Sequence, residues 1–496
     1  MDCGKLAGVA AALLLTSGAA RADVAISNKP TTNMDCEAGV CTATAQKAVL
    51  NVSDLASMLS TGDVAVKTGT VAKDIDLDQP LTWSNASRLT LDAQRSVQID
   101  KQLTVAGQGA LTVTTNDAAN NGKSAKGKNA GEFIIAPERG SVQFWDPSSS
   151  LIIDGQSYTL VYDIKTLASD IAANPSGFYA LAKPYDASAD GAYGSSPIAT
   201  EFAGVFEGLG NATSHLTMGL SSDEAQGFFA HVAPNGTVRD GGLSDVKVEG
   251  SDFFIVGSFV GENEGTIKYS WATGTMRYAD AFGNSLGGLV GTNLALKGRH
   301  GVIEHCFANM DIVLGKYGPQ HGGVLVGIND GTLSETYSKG LLTYIVAASA
   351  DAGGLAGANF GSINNSFSVV AIKDGRKNSQ IYFGGLVGKN FSSGTAARSY
   401  AAGRTRERND VQTVLGGFVG FDDAPVGSLS ATYWDLDKGI SDPSQGAGNL
   451  PNDPGITGLT GTQLKSGLPE GFDPEIWTQS PGRNLGLPYL ISLPIH

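Results

Sequence analysis

The chain has 496 residues, of which 66 are glycine and 17% are charged, and its formal net charge is −14. Glycine is nearly twice as frequent as usual and charged residues are fewer than the typical quarter, which argues against a charge-rich disordered chain. Collagen is excluded because the glycines follow no three-residue period. The acidic balance argues against a nucleic-acid or anionic-membrane binder, since both need basic patches. This composition is typical of an elongated β architecture.

The first 22 residues predict export. Lys5 precedes the apolar run LAGVAAALLL, and Ala20-Arg21-Ala22 offers a cleavage site of the small-x-small type. Residues 1–22 therefore resemble a secretory signal peptide that is cleaved near Ala22. The run is too short to span a bilayer, and no later segment reaches about 18 uninterrupted apolar residues. We expect a mature chain that is secreted or associated with a cell surface, with no transmembrane segment.

Residues 23–46 are polar and lack periodicity, which predicts a strap clipped by a disulfide. Cys36 and Cys41, in MDCEAGVC, are close enough in sequence to close a small loop in an oxidising compartment. A metal site there would need further ligands nearby, and the sequence shows none. Cys306, in IEHCFAN, has no such neighbour, and we expect it to be a buried, small apolar side chain.

Residues 47–200 predict an N-terminal β-helix with capping and inserted helices. Ser53 is expected to cap a short helix whose Leu55, Met58 and Leu59 face inward. Such a helix suits the open end of a β-stack, where the first strand leaves an edge unpaired. Short strands of alternating polarity follow at close intervals, which is typical of a coiled stack of strands.

The same region carries a coil-length period and one break. Apolar alternation recurs about every twenty residues, for example at Leu89 and Leu111, as expected for single coils of a β-helix. Ile164, Leu167 and Ile171 then lie on one helical face, and a Pro-Ser-Gly run follows. We expect an inserted helix against the stack at the boundary to the second half.

Residues 201–435 contain six copies of a glycine-rich motif, such as FGGLVGKN, that are spaced 30, 36, 30, 31 and 32 residues apart. The glycines that close the motif, called marker glycines below, are Gly261, Gly291, Gly327, Gly357, Gly388 and Gly420. Two residues after the first five stand Asn263, Asn293, Asn329, Asn359 and Asn390, and Asp422 takes this place in the sixth copy. A Ser/Thr/Cys-aromatic pair follows in every copy.

This repeat predicts an all-β solenoid, because one unit cannot bury its apolar face but stacked units form a continuous core and a parallel sheet. We expect each marker glycine to supply the positive φ of a sharp corner, with no Cβ to collide with the neighbouring coil. The asparagines should form a ladder of amide hydrogen bonds along the ~4.8 Å repeat. The aromatic residues should stack in a row.

The repeats resemble the GLUG motif of secreted bacterial surface proteins, since GGLVGxN leads in each copy to a pair such as SY. Residues 47–200 and the tail within 436–496 are similar to filamentous-haemagglutinin-type exoproteins. The resemblance implies a right-handed parallel β-helix and a role as a secreted adhesin or surface component, with no catalytic residue to transfer. GLUG repeats also accompany IgA-specific metallopeptidases, but their His-Glu-x-x-His helix is missing from this sequence.

Three groups of residues raise the question of chemistry. His300, His305 and His321 cluster around the longest repeat and could meet, with Cys306, at a metal; solvated loop histidines are the alternative. The third residue after each marker glycine is Glu264, Leu294, Asp330, Phe360, Phe391 or Asp423. Glu264 and Asp330 would stand on non-adjacent coils with Leu294 between them, which argues against a paired-carboxylate site. Asp435 and Asp437, in YWDLDKG, are expected to be surface turn residues.

We therefore expect a non-enzymatic, adhesin-like binding protein that contacts host or neighbour-cell glycans or proteins and needs no cofactor. Two alternatives remain. A polysaccharide-acting lyase or hydrolase on a β-helix would need a groove lined by acids and basic residues from adjacent coils. An uncapped C-terminal coil would favour the other alternative, a structural passenger component of a larger surface assembly.

Overall fold

The computed structural model describes residues 23–117, 130–219, 222–251, 253–280, 283–296, 298–316, 319–346, 349–374, 380–404 and 413–495. The predicted signal peptide, residues 1–22, lies outside them. The described chain is mostly β-strand, its strands stack into long parallel sheets, and three short α-helices interrupt them. The predicted all-β solenoid with a few inserted helices is thereby confirmed.

The N-terminal stack is built of coils that place one strand in each of three sheets. Its strands are β1 (Asp23–Ser27), β2 (Met34–Glu37), β3 (Val40–Ala43), β4 (Ala48–Asn51), β5 (Val64–Lys67), β6 (Asp74–Leu77), β7 (Leu81–Trp83), β8 (Arg88–Asp92), β9 (Val97–Ile99), β10 (Gln102–Val105), β11 (Ala110–Thr114), β12 (Phe133–Ile135), β13 (Ser141–Phe144), β14 (Ser150–Ile153) and β15 (Gln156–Val161). Leu89 pairs with Leu111 in parallel register, so these two leucines are one coil apart, as the period predicted.

The segment 23–46 is more firmly integrated than a strap. Strand β1 lies between β4 and β6 in one sheet, and its alternating apolar side chains are buried. Strands β2 and β3 form an antiparallel hairpin in which Cys36 stands opposite Cys41, and the predicted disulfide joins them. Pairing of β3 with β5 fixes this hairpin to the stack.

Helix α1 (Val52–Leu59) covers the end of the N-terminal stack, as predicted, with Leu55 and Leu59 buried. The prediction of its cap is wrong. Asn51, not Ser53, is the N-cap, because the Asn51 side chain accepts hydrogen bonds from the backbone N–H groups of Ser53 and Asp54. Ser53 itself lies within the first turn.

Helix α2 (Ile164–Ala173) is the predicted inserted helix, and its buried face is formed by Ile164, Leu167 and Ile171. These side chains join the core of the repeat region, while the N-terminal stack has a core of its own. The strands that follow are β16 (Phe178–Leu181), β17 (Tyr185–Asp186), β18 (Ala192–Tyr193), β19 (Val205–Glu207), β20 (Ala212–Ser214) and β21 (Thr217–Gly219). They pair onward into the repeats, so the stack of strands is continuous across the boundary.

The repeat region adds four strands per coil in most coils. Its strands are β22 (Ser222–Gln226), β23 (Phe229–Val232), β24 (Thr237–Arg239), β25 (Gly242–Gly250), β26 (Phe253–Gly257), β27 (Val260–Asn263), β28 (Thr266–Lys268), β29 (Trp271–Asp280), β30 (Gly283–Gly287), β31 (Val290–Asn293), β32 (Ala295–Leu296), β33 (Arg299–His300), β34 (Val302–Glu304), β35 (Phe307–Lys316), β36 (Pro319–Gly323), β37 (Val326–Asn329), β38 (Thr332–Ser334), β39 (Tyr337–Val346), β40 (Ser349–Gly353), β41 (Ala356–Asn359), β42 (Ser362–Asn364), β43 (Phe367–Asp374), β44 (Gln380–Gly384), β45 (Val387–Asn390), β46 (Thr395–Ala401), β47 (Thr413–Gly416), β48 (Val419–Asp422) and β49 (Leu429–Asp435).

These strands form three parallel faces. Sheet I has the order β22-β26-β30-β36-β40-β44-β47, and sheet II has the order β23-β27-β31-β37-β41-β45-β48. Sheet III holds the remaining coil strands, and each of its coils bends at a residue with a left-handed backbone, for example Tyr269, His305 and Glu335. After β49 the chain adds β50 (Ile456–Leu459), α3 (Gly461–Leu464), β51 (Trp477–Thr478) and β52 (Tyr489–Leu490). No helix within the described ranges is long and apolar enough to cross a membrane.

The marker glycines lie inside the strands of sheet II, and the positive φ predicted for them is wrong. Their role is the close approach of backbones. A Cβ on Gly388 would come within 2.5 Å of the carbonyl oxygen of Gly357 in the preceding coil, and a Cβ on Gly420 would meet Gly388 in the same way. The left-handed corners are instead occupied by non-glycine residues of sheet III.

The recurring position two residues after each marker glycine forms the predicted asparagine ladder inside the stack. Each Nδ2 donates to the side-chain Oδ1 one coil further on, over 2.8–2.9 Å, from Asn263 through Asn390 to Asp422. The asparagine side chains are fully buried or nearly so. The ladder therefore satisfies polar groups that would otherwise be costly in the core.

The aromatic row is present on sheet III, but it faces away from the core. Neighbouring rings are stacked with centroids 4.9–6.2 Å apart along the series Trp271, Phe307, Tyr337, Phe367 and Tyr400. The C-terminal tail, defined here as residues 461–495, covers this row. The tail is thus no simple end cap: Tyr400 Oη donates to the carbonyl of Pro488, and Tyr337 Oη donates to that of Pro494.

Candidate ligand-binding groove

The outer faces of sheets I and II meet along a groove that follows the stacking axis. Across it Ser285 Oγ donates a hydrogen bond to the carbonyl of Gly291, over 2.6 Å. The wall on sheet I carries Ile255, Ser285, His321, Asp351 and Tyr382 in register. The wall on sheet II carries His231, Glu262, Thr292, Ile328, Ala358, Lys389 and Phe421. One column of the repeat thus faces another along these coils, and Ser285, Thr292 and Ala358 are buried between them.

The marker glycines form the floor of this groove. A Cβ on Gly388 would collide with the backbone N of Ala352, and a Cβ on Gly291 would stand 2.6 Å from Ile255 Cγ2. Both neighbours belong to sheet I of the preceding coil. Because the marker glycines have no side chains, sheet II can approach sheet I closely, and this close approach forms the groove.

Four aromatic side chains and one lysine line the end of the groove nearest the C-terminal coils, and this set is called the aromatic patch. The rings of Phe360 and Phe391 are stacked with centroids 3.9 Å apart and an interplanar angle of 14°. Tyr382 and Phe421 meet across the groove at 4.7 Å. All four rings are half-buried, so they keep part of their apolar surface in solvent, where Phe is usually hidden.

Lys389 places a positive charge among these rings. Its Nζ lies 4.3 Å from the ring centroid of Phe391, 5.2 Å from that of Phe421 and 5.9 Å from that of Tyr382. These separations are in the range of cation–π contacts. The patch therefore combines apolar ring surface with a charged hydrogen-bond donor, which is the usual composition of a small-ligand site.

The middle of the groove holds a histidine–carboxylate pair. His321 Nδ1 lies 2.9 Å from Asp351 Oδ2, and both side chains are largely buried. The His321 ring also meets Phe391 edge-on, with centroids 6.3 Å apart. The pair thus joins the aromatic patch to the polar N-terminal part of the groove.

The histidines and cysteine that could have formed a metal site are not brought together. His300 is exposed in β33, which pairs only with β32; His305 stands at a corner of sheet III; His321 lies in sheet I. His305 Nδ1 contacts Glu335 at 3.3 Å and Ser492 of the C-terminal tail at 3.1 Å. Cys306 is fully buried, as expected, and burial raises the pKa of its thiol.

The acidic residues that the sequence offers for an enzyme site do not form a pair of neighbouring carboxylates on adjacent coils. Asn263, Asn293 and Asn329 occupy three successive rungs, so Leu294 stands between Glu264 and Asp330, as predicted. Asp435 is not a surface residue: it is 1% exposed, accepts a hydrogen bond from the Asp437 N–H, and has a pKa raised by burial. Asp437 Oδ2 accepts from the N–H of Gly461, at the start of α3. These two residues anchor the beginning of the C-terminal tail.

The aromatic patch was missed as a site by sequence reasoning. In the sequence, Phe360 and Phe391 stand in the same column as the acidic residues Glu264 and Asp330, and Tyr382 and Phe421 lie on different sheets. A usable signal was present, since aromatic residues recur at matched repeat positions in consecutive copies. What the repeat could not reveal is that sheets I and II bring these columns face to face.

The fold and groove define the class of protein as a parallel β-solenoid with an aromatic-lined longitudinal groove. No model of a known protein family matches the chain, and no curated protein matches it significantly. The resemblance of the repeats to the GLUG motif therefore stays a prediction.

Proposed function

We propose that this protein is a secreted or surface-associated, adhesin-like binding protein that holds an extended glycan in the groove at the aromatic patch. The observation that carries the proposal is the stacked, half-buried pair Phe360 and Phe391 with Lys389 beside it. Sugar rings have apolar C–H faces and polar rims, so they suit aromatic surfaces flanked by a few hydrogen-bonding groups. Secretion rests on the predicted signal peptide.

The shape of the site supports an elongated ligand. The rings of the patch come from three successive coils, which spans about 10 Å at the ~4.8 Å spacing of neighbouring strands. From the patch, the two facing columns of side chains continue toward the N-terminal coils. A chain-like ligand can follow such a groove, with several weak contacts adding to one affinity.

A glycan array tests the proposal. The purified chain is expected to bind a defined group of glycans, and Phe391→Ala should reduce that binding at least tenfold, since truncation of an aromatic hot-spot residue costs about 2 kcal/mol or more. Trp145→Ala is the matched control, because Trp145 is an exposed ring with Lys183 Nζ 4.5 Å from its centroid, outside the groove.

Two outcomes would contradict the proposal. The first is equal glycan binding by the original chain and Phe391→Ala, or loss of binding only in Trp145→Ala. The second is reproducible cleavage of a bound polysaccharide, which would favour the enzyme alternative.

A further inference from the structure

A second cluster of side chains lies at the opposite end of the groove from the aromatic patch. His231 is in β23, Glu262 is in β27, and Glu264 follows β27 directly. One possible ligand atom of each residue lies within 4.8 Å of those of the other two. Within the part of the chain that the structure describes, this is the one group of three histidine, cysteine or acidic residues that meets this distance.

The coil register brings the three residues together. His231 and Glu262 pair directly across neighbouring strands of sheet II, so their side chains point into the groove one coil apart. Glu264 occupies the position that Phe360 and Phe391 take in later coils. A fourth acid, Glu201, lies one coil before His231, next to Phe202, which bridges to Val232. The histidine therefore lies in a coil between two coils that carry the acidic residues.

The polar atoms of the cluster do not satisfy one another's hydrogen-bonding capacity. His231 Nε2 is fully buried and has no hydrogen-bond partner of proper geometry, although Glu264 Oε1 lies 3.2 Å away. Glu262 and Glu264 also place two carboxylates within 4.8 Å of each other and of the imidazole. A cation at this point would neutralise the crowded carboxylates and give the imidazole nitrogen a partner.

We propose that His231, Glu262 and Glu264 bind a divalent transition-metal ion of the Zn²⁺ type. One imidazole nitrogen and two carboxylate oxygens are ligands that such ions accept, at about 2.0–2.2 Å. Binding at these distances requires the two glutamate side chains to turn toward the imidazole nitrogen from the present separations of up to 4.8 Å. This site is independent of the proposed glycan binding, because it uses none of the residues of the aromatic patch.

Calorimetric titration of the purified, chelator-treated chain with ZnCl₂ tests this site. We expect one Zn²⁺ per chain at this cluster, and at least a tenfold weaker affinity in His231→Gln and in Glu264→Gln. MgCl₂ should bind far more weakly, since Mg²⁺ prefers oxygen ligands and an octahedral shell. Circular dichroism of each variant reports whether it is folded, and Glu262→Gln supplies a third variant in case one is not.

His321→Gln is the matched control. His321 also faces a carboxylate in the groove, at 2.9 Å from Asp351, with similar burial, but it belongs to no three-residue cluster in the described chain. Zn²⁺ affinity should be unchanged in this variant. Absence of Zn²⁺ binding, or equal affinity in the original chain, His231→Gln and Glu264→Gln, would overturn the site and leave an ordinary histidine–glutamate ion pair.

Discussion

At the scale of single residues, the end of the asparagine ladder is its weak point. Asp422 accepts from Asn390 Nδ2, but it also faces Asp453, and burial together with that carboxylate raises the pKa of Asp422 to about 6. A folded-state pKa above the ordinary value of 3.8 means that the folded chain holds this proton more tightly than the unfolded chain does. Protonated Asp422 therefore contributes stability that is fully present below about pH 3.8 and is lost as pH rises through about 6.

Asp422→Asn should remove this loss of stability at higher pH, because an uncharged amide oxygen can accept the hydrogen bond from Asn390 in place of the carboxylate. We expect the variant to gain about 1 kcal/mol at pH 7.5, a figure reduced for the partial solvation of the group, and little or nothing at pH 4.5. Thermal unfolding at the two pH values measures the difference. Asp423→Asn, which removes a neighbouring exposed charge, controls for net charge. An equal effect of Asp422→Asn at both pH values would contradict this account.

At the scale of the strand, the marker glycines are needed for space rather than for φ. The Cβ of Gly388→Ala would meet backbone atoms of Ala352 and Gly357, which have no room to yield. We expect this variant to be destabilised by about 3 kcal/mol or more. Denaturant unfolding provides the measurement.

Gly482→Ala is the comparison, since no heavy atom lies within 4 Å of the added Cβ and the backbone φ there is not positive. Its stability should change by no more than about 0.5 kcal/mol. Similar effects of the two alanines would mean that the close approach of sheets I and II does not depend on the glycines.

The C-terminal tail is an element in its own right, held by the aromatic row. Trp477 is buried against Phe367 and Tyr400, with ring centroids 5.9 and 6.0 Å away, and its Nε1 donates to Asn365 Oδ1. Removing this ring in Trp477→Ala should weaken the tail by about 3–5 kcal/mol. Limited proteolysis should then cut within residues 461–495 while the coils stay intact. A tail that remains as resistant as before would show that other contacts hold it.

The sequence was informative where structure repeats and uninformative where distant segments meet. The asparagine ladder was predictable because a fixed spacing puts Asn359 and Asn390 at the same height in successive coils. The docking of Trp477 on Phe367 was not, since no period connects residues so far apart. The marker glycines were identified but misinterpreted, because a glycine pattern does not distinguish a need for positive φ from a need for space. The cap at Asn51 was missed by two residues, which is the usual uncertainty of a helix end.

The candidate site was harder to foresee than the fold. His231 and Glu262 lie in register one coil apart, but the repeat there is degraded, and Val232 takes the place that Asn263 has in the next coil. The aromatic patch needs the angle between sheets I and II, which is set by the turns and the glycines together. The repeat shows which residues occupy equivalent positions in successive coils. It does not show which of these positions face each other across two sheets.

At the scale of the whole molecule, the solenoid is a long regular surface with two chemically different ends of one groove. Each coil contacts mainly its neighbours, so a ligand that extends along the stack gains contacts coil by coil. The aromatic end presents rings and one lysine, whereas the other end presents a histidine and carboxylates. We expect affinity in this groove to rise with ligand length up to the span of the aromatic patch.

The most direct test is calorimetric titration of the chain with oligosaccharides of increasing length, taken from the glycan class that the array selects. The account predicts an affinity that rises with length until the ligand spans the three coils of the patch, about 10 Å, and then changes little. Phe391→Ala should lower the affinity of the long ligands at least tenfold. An affinity that is independent of length, or that is unchanged by Phe391→Ala, would contradict binding in the groove.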